Sequence, residues 1–207
     1  MATQTLTKPQ QNQTFEGKLQ RLRQAFADAP QYAKTALENS LKELTSFGST
    51  PRARVESAGR TGIRQGTVSE LLFIAPFAPG GAARLRALLE LRGGSFEDTD
   101  RVGTVHDMRF VFLDNDTKLL FATAYDGEWD PYIDDFATKI TDQMDVLFSA
   151  CEGWPGIRSP KVKDWIVEHQ IPAAGWYVAH PDLTVRDIHR LKNIGKAVDE
   201  FLDKVGS

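Results

Sequence analysis

The chain has a single cysteine, Cys151, among its 207 residues. No intrachain disulfide can form, which suits a reducing compartment. Long apolar runs are also missing: the longest, residues 71–75 and 110–113, fall far short of the ~20 residues that a membrane helix needs. The polar start of the chain lacks the apolar segment of a secretory signal. These absences predict a soluble, cytoplasmic protein with no membrane partner.

A strong excess of charge of one sign is absent as well, since the formal net charge is −3. This balance argues against a large phosphate-binding surface, so we expect no nucleic-acid partner. The paired glycines at 80–81 and 93–94 do not follow the dinucleotide or P-loop spacing. The histidines lack the spacing of a helical zinc pair, so no metal site is predicted. Four arginines between residues 52 and 64 indicate a solvated linker.

Composition and periodicity divide the chain into three regions. Residues 1–14 are polar and predict a disordered tail. Residues 15–65 begin with helical periodicity, which Pro30 splits into two helices, and continue as a basic linker. Residues 66–207 form the main domain. Its C-terminal helix has apolar residues three or four apart along its whole length, which gives one continuously apolar face.

The main domain has the pattern of an α+β protein. Strands are predicted at residues 68–73, 103–113, 119–125 and 175–179, and helices at 82–91, 131–151, 160–169 and along the C-terminal segment. The resulting β-α-β-β-α-β order is that of the ferredoxin-like split βαβ fold. Its antiparallel sheet leaves one face open, and a second copy usually covers that face in this class. We therefore expect a homodimer.

Four segments carry a family resemblance. Residues 103–110 place a His and an Arg on one strand, and residues 118–121 include a Leu-Leu-Phe strand. Residues 125–136 contain Asp-Gly-x-Trp-x-x-Tyr-x-x-Asp, and residues 151–156 read Cys-Glu-Gly-Trp-Pro-Gly. Together they resemble a bacterial group of dimeric α+β barrel proteins with labels such as "peroxidase-like". The resemblance covers roughly residues 67–180.

The resemblance implies a ferredoxin-like fold of the dimeric α+β barrel type, with a small-molecule ligand between sheet and helices. It further implies an oxidoreductase or monooxygenase-like function, with haem as one cofactor that the superfamily uses. Other members only bind ligands, so a non-catalytic ligand-binding or assembly protein is the alternative. The haem branch carries a Gly-x-x-Asp-Gly pattern, whereas Asp126-Gly127 here lacks the leading glycine. No haem role passes to Asp126.

The first candidate site is the strand that contains His106, Asp107 and Arg109. Strand alternation predicts that His106 shares a face with Met108 and Phe110, and Arg109 shares the other face with Asp107. His106 could serve as a base or an iron ligand, and Arg109 could hold a carboxylate if a twist or bulge brings it to the pocket. The alternative is a satisfied core or interface histidine, with Asp107 and Arg109 as a solvated charge pair on the other face.

His180 is the second-choice haem ligand or base, because it follows the last predicted strand, a common pocket rim. Two further groups have structural interpretations. The acidic residues from Asp126 to Asp135 are dense enough for acid–base or cation chemistry, but their spacing is not that of an EF-hand loop, and helix capping is favoured. Cys151 lies at a predicted helix C-terminus, where the dipole opposes thiolate formation, so a buried structural role is favoured.

Overall fold

A computed structural model describes residues 14–46, 54–93 and 96–206 of the chain. The chain divides into two compact units, Met1–Arg52 and Ala53–Ser207. The predicted tail, residues 1–14, lies outside the described residues except for Thr14.

The N-terminal unit contains two helices, α1 (Phe15–Ala25) and α2 (Gln31–Ser46). Pro30 directly precedes α2, so the predicted split into two helices is confirmed. Arg23 donates two hydrogen bonds to the carboxylate of Glu38, at 2.9 and 3.0 Å, and thereby links α1 to α2. Because this ion pair is exposed, it contributes little to stability.

The second unit is an α+β fold around a five-stranded antiparallel sheet of order β1-β2-β3-β5-β4. Its strands are β1 (Val55–Ser57), β2 (Ile63–Gln65), β3 (Val68–Pro76), β4 (Val105–Leu113) and β5 (Lys118–Asp126). Its helices are α3 (Gly81–Leu91), α4 (Trp129–Lys139), α5 (Thr141–Phe148), α6 (Val162–His169) and α7 (Val185–Val205), with a 3₁₀ turn at Glu97–Arg101. The predicted sequence from β3 through α3, β4 and β5 to α4 is confirmed.

The predicted final strand at residues 175–179 is wrong. The chain begins to pair with the free edge of β3, where the Ile171 N–H donates to the Leu72 carbonyl at 2.8 Å. Pro172 follows and has no N–H to donate, so the ladder stops there. The edge position beside Val68 is held instead by β2, which pairs with the beginning of β3. The complete β-α-β-β-α-β order is therefore not formed.

The predicted linker also contains structure. Strands β1 and β2 form a short hairpin, and Gly59 and Gly62 in its turn have positive φ values of 128° and 84°. Each strand is three residues long, too short for alternation to be visible in the sequence.

The long helix predicted at residues 131–151 is two helices. Ile140 adopts φ −137° and ψ 41°, outside the helical region, and separates α4 from α5. Helix α4 begins at Trp129 with Glu128 at the N-cap, two residues before the predicted start at residue 131. The helical spacing of apolar residues continues through the break, which hides it in the sequence.

The core lies between one sheet face and helices α3 to α6. An aromatic cluster fills its centre: Phe121 lies 5.2 Å from Phe73 and 5.0 Å from Phe148, between ring centroids. The cavity beneath α4 and α5 has a volume of about 10 Å³, which is at most the space of one water molecule. The expected ligand pocket between sheet and helices is therefore filled with side chains. Across the described residues, no helix combines the length and apolar character needed to cross a bilayer.

Gly81 is a position where a side chain cannot be accommodated. It is the first residue of α3, and a Cβ there would overlap the Ala150 carbonyl, which is held by the Ala78 N–H at 2.8 Å. We expect Gly81→Ala to lower the free energy of unfolding by about 2 kcal/mol through overpacking. Urea unfolding followed by circular dichroism measures this loss. Gly175→Ala is the control, because nothing lies within 4 Å of its Cβ; equal effects of the two substitutions would contradict the packing account.

Candidate active site on the outer face of the sheet

A cleft of about 450 Å³ lies on the sheet face opposite the aromatic core. The segment after α6 crosses this face and is held there by three contacts. The Ala173 N–H donates to the Glu70 carboxylate at 3.0 Å, and the Thr67 N–H and hydroxyl both donate to the Pro181 carbonyl. The cleft is lined by Val68, His106, Asp107, Arg109, Ala124, Trp176, Tyr177, Val178, Ala179, His180 and Ile188.

A β-bulge decides which side chains reach the cleft. Val105 pairs with Tyr125, but the next pair is Asp107 with Ala124, so His106 is an extra residue in β4. The bulge turns His106 to the face that Asp107 and Arg109 occupy. The expectation that His106 shares a face with Met108 and Phe110 is therefore wrong. Those two side chains pack against the core.

His106 forms a hydrogen-bonded pair with Asp126 at the end of β5. Its Nε2 lies 2.7 Å from Asp126 Oδ1, and the two side chains are 18% and 10% exposed. The other carboxylate oxygen, Oδ2, accepts a hydrogen bond from the Val185 N–H at 2.8 Å. Val185 is the first residue of α7, which Thr184 and Asp187 close with a capping box. The carboxylate of Asp126 therefore lies at the positive end of the helix dipole.

This pairing defines how the imidazole can act. A carboxylate only accepts hydrogen bonds, so it favours the form of His106 that carries a proton on Nε2. Nδ1 is then the nitrogen available to take a proton, and Asp126 holds the ring in place through Nε2. The pair has the geometry of a base and the group that orients it.

Arg109 lies at the rim of the cleft. Its Nη2 is 2.7 Å from Asp107 Oδ2, and its side chain is 65% exposed. The solvated charge pair considered for these two residues is therefore formed. Since exposed pairs of this kind are worth little, the guanidinium could exchange Asp107 for a ligand carboxylate at small cost.

His180 reaches the same cleft from the covering segment, close in sequence to Trp176 and Tyr177. The three site residues predicted from sequence, His106, Arg109 and His180, therefore lie around one cleft. The prediction did not include Asp126 as a partner of His106, nor the two aromatic residues. The hairpin carried a signal for Asp126, because residues 106 and 126 are nearly equidistant from the turn that joins β4 to β5.

The cleft does not fit haem with His106 as its axial ligand. Iron-binding histidines commonly donate their second ring nitrogen to a carboxylate, and here Nε2 is the nitrogen that Asp126 engages. The remaining nitrogen, Nδ1, is bonded to the ring carbon that carries Cβ, so it lies nearer the strand backbone than Nε2 and leaves less room for a flat porphyrin. His180 is exposed, and so lacks the enclosing pocket that holds an axial ligand.

The acidic residues beyond Asp126 are engaged by cations. Lys163 bonds Asp130 at 2.9 Å and Asp134 at 2.8 Å, and Arg60 also reaches Asp130. The hydrogen bond from Lys163 lowers the pKa of Asp130. Glu128 pairs with Arg64, and Lys139 bonds Asp135 at 3.0 Å. Within the part of the chain that the structure describes, no three His, Cys, Asp or Glu side chains are grouped to hold a metal ion.

The comparisons with known proteins give no family for this chain. No protein family, no curated protein and no solved structure matches it. What the fold and site define is a class: an α+β protein with an open antiparallel sheet. Its histidine–carboxylate cleft lies on the outer face of that sheet.

Cys151 is buried in the hydrophobic core, and burial raises the pKa of its thiol to about 12. The thiolate is the reactive form, so at pH 8 the folded protein should react with a disulfide reagent at least tenfold more slowly than the denatured protein. Absorbance of the released thiolate measures the two rates. Equal rates would show that Cys151 is accessible in the folded chain.

Haem titration tests the fit of the cleft directly. With Nε2 of His106 held by Asp126, we expect no saturable, stoichiometric shift of the Soret band when haem is added. Absorption spectra of the wild type and of His106→Ala and His180→Ala measure the result. A stoichiometric Soret shift that either substitution removes would refute our assignment of this geometry.

Proposed function

We propose that the chain is a small-molecule enzyme of the oxidoreductase or monooxygenase-like kind, acting without haem on its outer sheet face. The observation that carries this proposal is the part-buried hydrogen bond between His106 and Asp126. His106 is the general base, and it removes a proton from an acidic O–H or C–H group of the ligand. The oxidoreductase part of the proposal rests on the family resemblance.

The arrangement around His106 supports a base. A positioned imidazole contributes about 10²- to 10⁴-fold to a proton transfer. Asp126 positions the ring, and the Val185 N–H keeps the carboxylate in place.

The lining of the cleft indicates the class of ligand. A volume of about 450 Å³ suits a molecule of one or two rings. Trp176 and Tyr177 offer aromatic faces for stacking, and Arg109 offers a cation at the rim. These groups favour an aromatic carboxylate that also carries a dissociable proton, such as a phenol.

The relation to the ferredoxin-like superfamily belongs to the same proposal. The neighbours β3-β5-β4, with α3 between β3 and β4, have the arrangement of the first three strands of a split βαβ fold. A dimeric barrel would require two outer sheet faces to meet. Here residues 172–181 cross that face, so a homodimer would use another surface.

A second candidate is a ligand-binding protein without catalysis. Two observations favour it: the space between sheet and helices is filled, and Arg109 is already paired with Asp107. Such a protein would use the same cleft and the same aromatic residues. His106 would then be a hydrogen-bonding partner of the ligand.

The test uses para-hydroxybenzoate and related hydroxylated aromatic carboxylates as probes. Calorimetry should show binding that Arg109→Gln weakens about tenfold, since it removes the bidentate cation. Dihydroxylated members of this set can give two electrons and two protons to oxygen, forming a quinone and hydrogen peroxide. Oxygen uptake with them should fall about 10²-fold or more in His106→Gln, with binding changed little. His189→Gln is the matched control, because His189 lies on α7 outside the cleft.

The outcomes separate the two candidates. Turnover that His106→Gln abolishes supports the enzyme. Saturable binding without turnover of any probe supports the binding protein. If no probe binds, or if His106→Gln and His189→Gln behave alike, the base assignment fails.

A further inference from the structure

Helix α7 presents an apolar stripe that the described residues leave exposed. The helix is 21 residues long, which corresponds to about 31 Å, and none of its residues is buried. Six large apolar side chains are between 45% and 67% exposed: Leu191, Ile194, Val198, Phe201, Leu202 and Val205. Exposed apolar patches of this extent mark interaction surfaces.

The charges of α7 are segregated along its axis. The N-terminal part, through Lys196, carries four cationic side chains and one carboxylate. The C-terminal part, from Ala197 onward, carries three carboxylates and one lysine. Two such helices in antiparallel orientation would place the basic part of each against the acidic part of the other. A parallel pair would place like charges together.

We propose that α7 pairs antiparallel with α7 of a second copy of this chain. The apolar stripe has heptad spacing, with Ile188, Gly195 and Leu202 at one set of positions and Leu191, Val198 and Val205 at the other. One antiparallel register matches all six of these heptad positions: Ile188 with the partner's Val205, Leu191 with the partner's Leu202, and Gly195 with the partner's Val198. Each match occurs twice, as a two-fold axis requires.

The same register pairs charges beside the stripe. Lys192 directly follows Leu191, and Asp199 directly follows Val198, so Lys192 lies beside the partner's Asp199 in both halves of the interface. Gly195 stands near the two-fold axis, and with no side chain it lets the two helices approach closely. Mid-helix glycine costs stability of about 1 kcal/mol in an isolated helix, so a close contact gives it a role.

The pairing would bring the partner to the edge of the cleft. Ile188 lines the cleft, and its match in this register is the partner's Val205. The C-terminal end of the partner's helix would therefore border the site. The pairing itself does not depend on what the cleft binds.

A membrane surface is the other occupant that an amphipathic helix could meet. Interfacial helices carry lysine and arginine along their polar face. Here Asp199, Glu200 and Asp203 would be repelled by anionic lipid over the half of the helix where the apolar stripe is most exposed. The charge pattern therefore favours a second copy.

Sedimentation velocity of the full chain from low to high micromolar concentration tests the proposal. We expect a concentration-dependent species of twice 23.1 kDa. Lys192→Glu alone and Asp199→Lys alone should each weaken dimerisation about tenfold, because two like-charge contacts form per dimer. The double variant should restore the dissociation constant to within about threefold of the wild type. A monomer at every concentration, or no rescue, overturns the proposal.

Cysteine pairs test the orientation. In an antiparallel pair, Leu191→Cys and Leu202→Cys form a disulfide only when the two variants are mixed, because each faces the other position. Asn193→Cys, on the outer side of the helix, is the matched control and should not cross-link with either. The native Cys151 is buried and should not form a disulfide in this experiment. Self-linkage of Leu191→Cys would mean a parallel pair. Binding of phosphatidylserine vesicles by the wild type, lost in Leu202→Asp, would assign the stripe to a membrane. Either result overturns the proposal.

Discussion

The carboxylate of Asp126 joins three parts of the second unit. It terminates β5, accepts a hydrogen bond from His106 of β4, and accepts another from the first N–H of α7. A carboxylate that is only 10% exposed needs partners that offset its lost hydration, and these two donors provide them. The start of α7 and the imidazole are consequently fixed relative to the sheet. His106 and Ile188 of α7 both line the cleft.

One face of the sheet packs against the hydrophobic core, and the other face borders the cleft. On the inner face, Phe73, Phe121 and Phe148 interlock so closely that almost no space remains. Such a face specifies the fold but has no room for a ligand. The outer face is crossed by a segment without regular structure, held by single hydrogen bonds such as that of Ala173 to Glu70. Space for a ligand lies beneath that segment.

Much of the architecture was predictable because its elements are long and periodic. The hairpin β4–β5 and helices α3, α6 and α7 follow from alternation, helical spacing, and turn or capping residues. The missed elements were short or interrupted. Strands β1 and β2 have three residues each, and the helix break at Ile140 keeps the apolar spacing on both sides. The last strand failed because Pro172 ends the pairing that Ile171 begins.

His106, Arg109 and His180 could be chosen from the sequence because few residue types can carry the expected chemistry. The sequence also determined the amphipathic stripe and charge segregation of α7, since both depend only on residue order. Only the tertiary structure decided that His106 faces the cleft, because one extra residue in β4 reverses the side on which a strand residue lies. It likewise decided that Asp126 contacts both His106 and the first N–H of α7, since these contacts depend on where the start of α7 meets the end of β5.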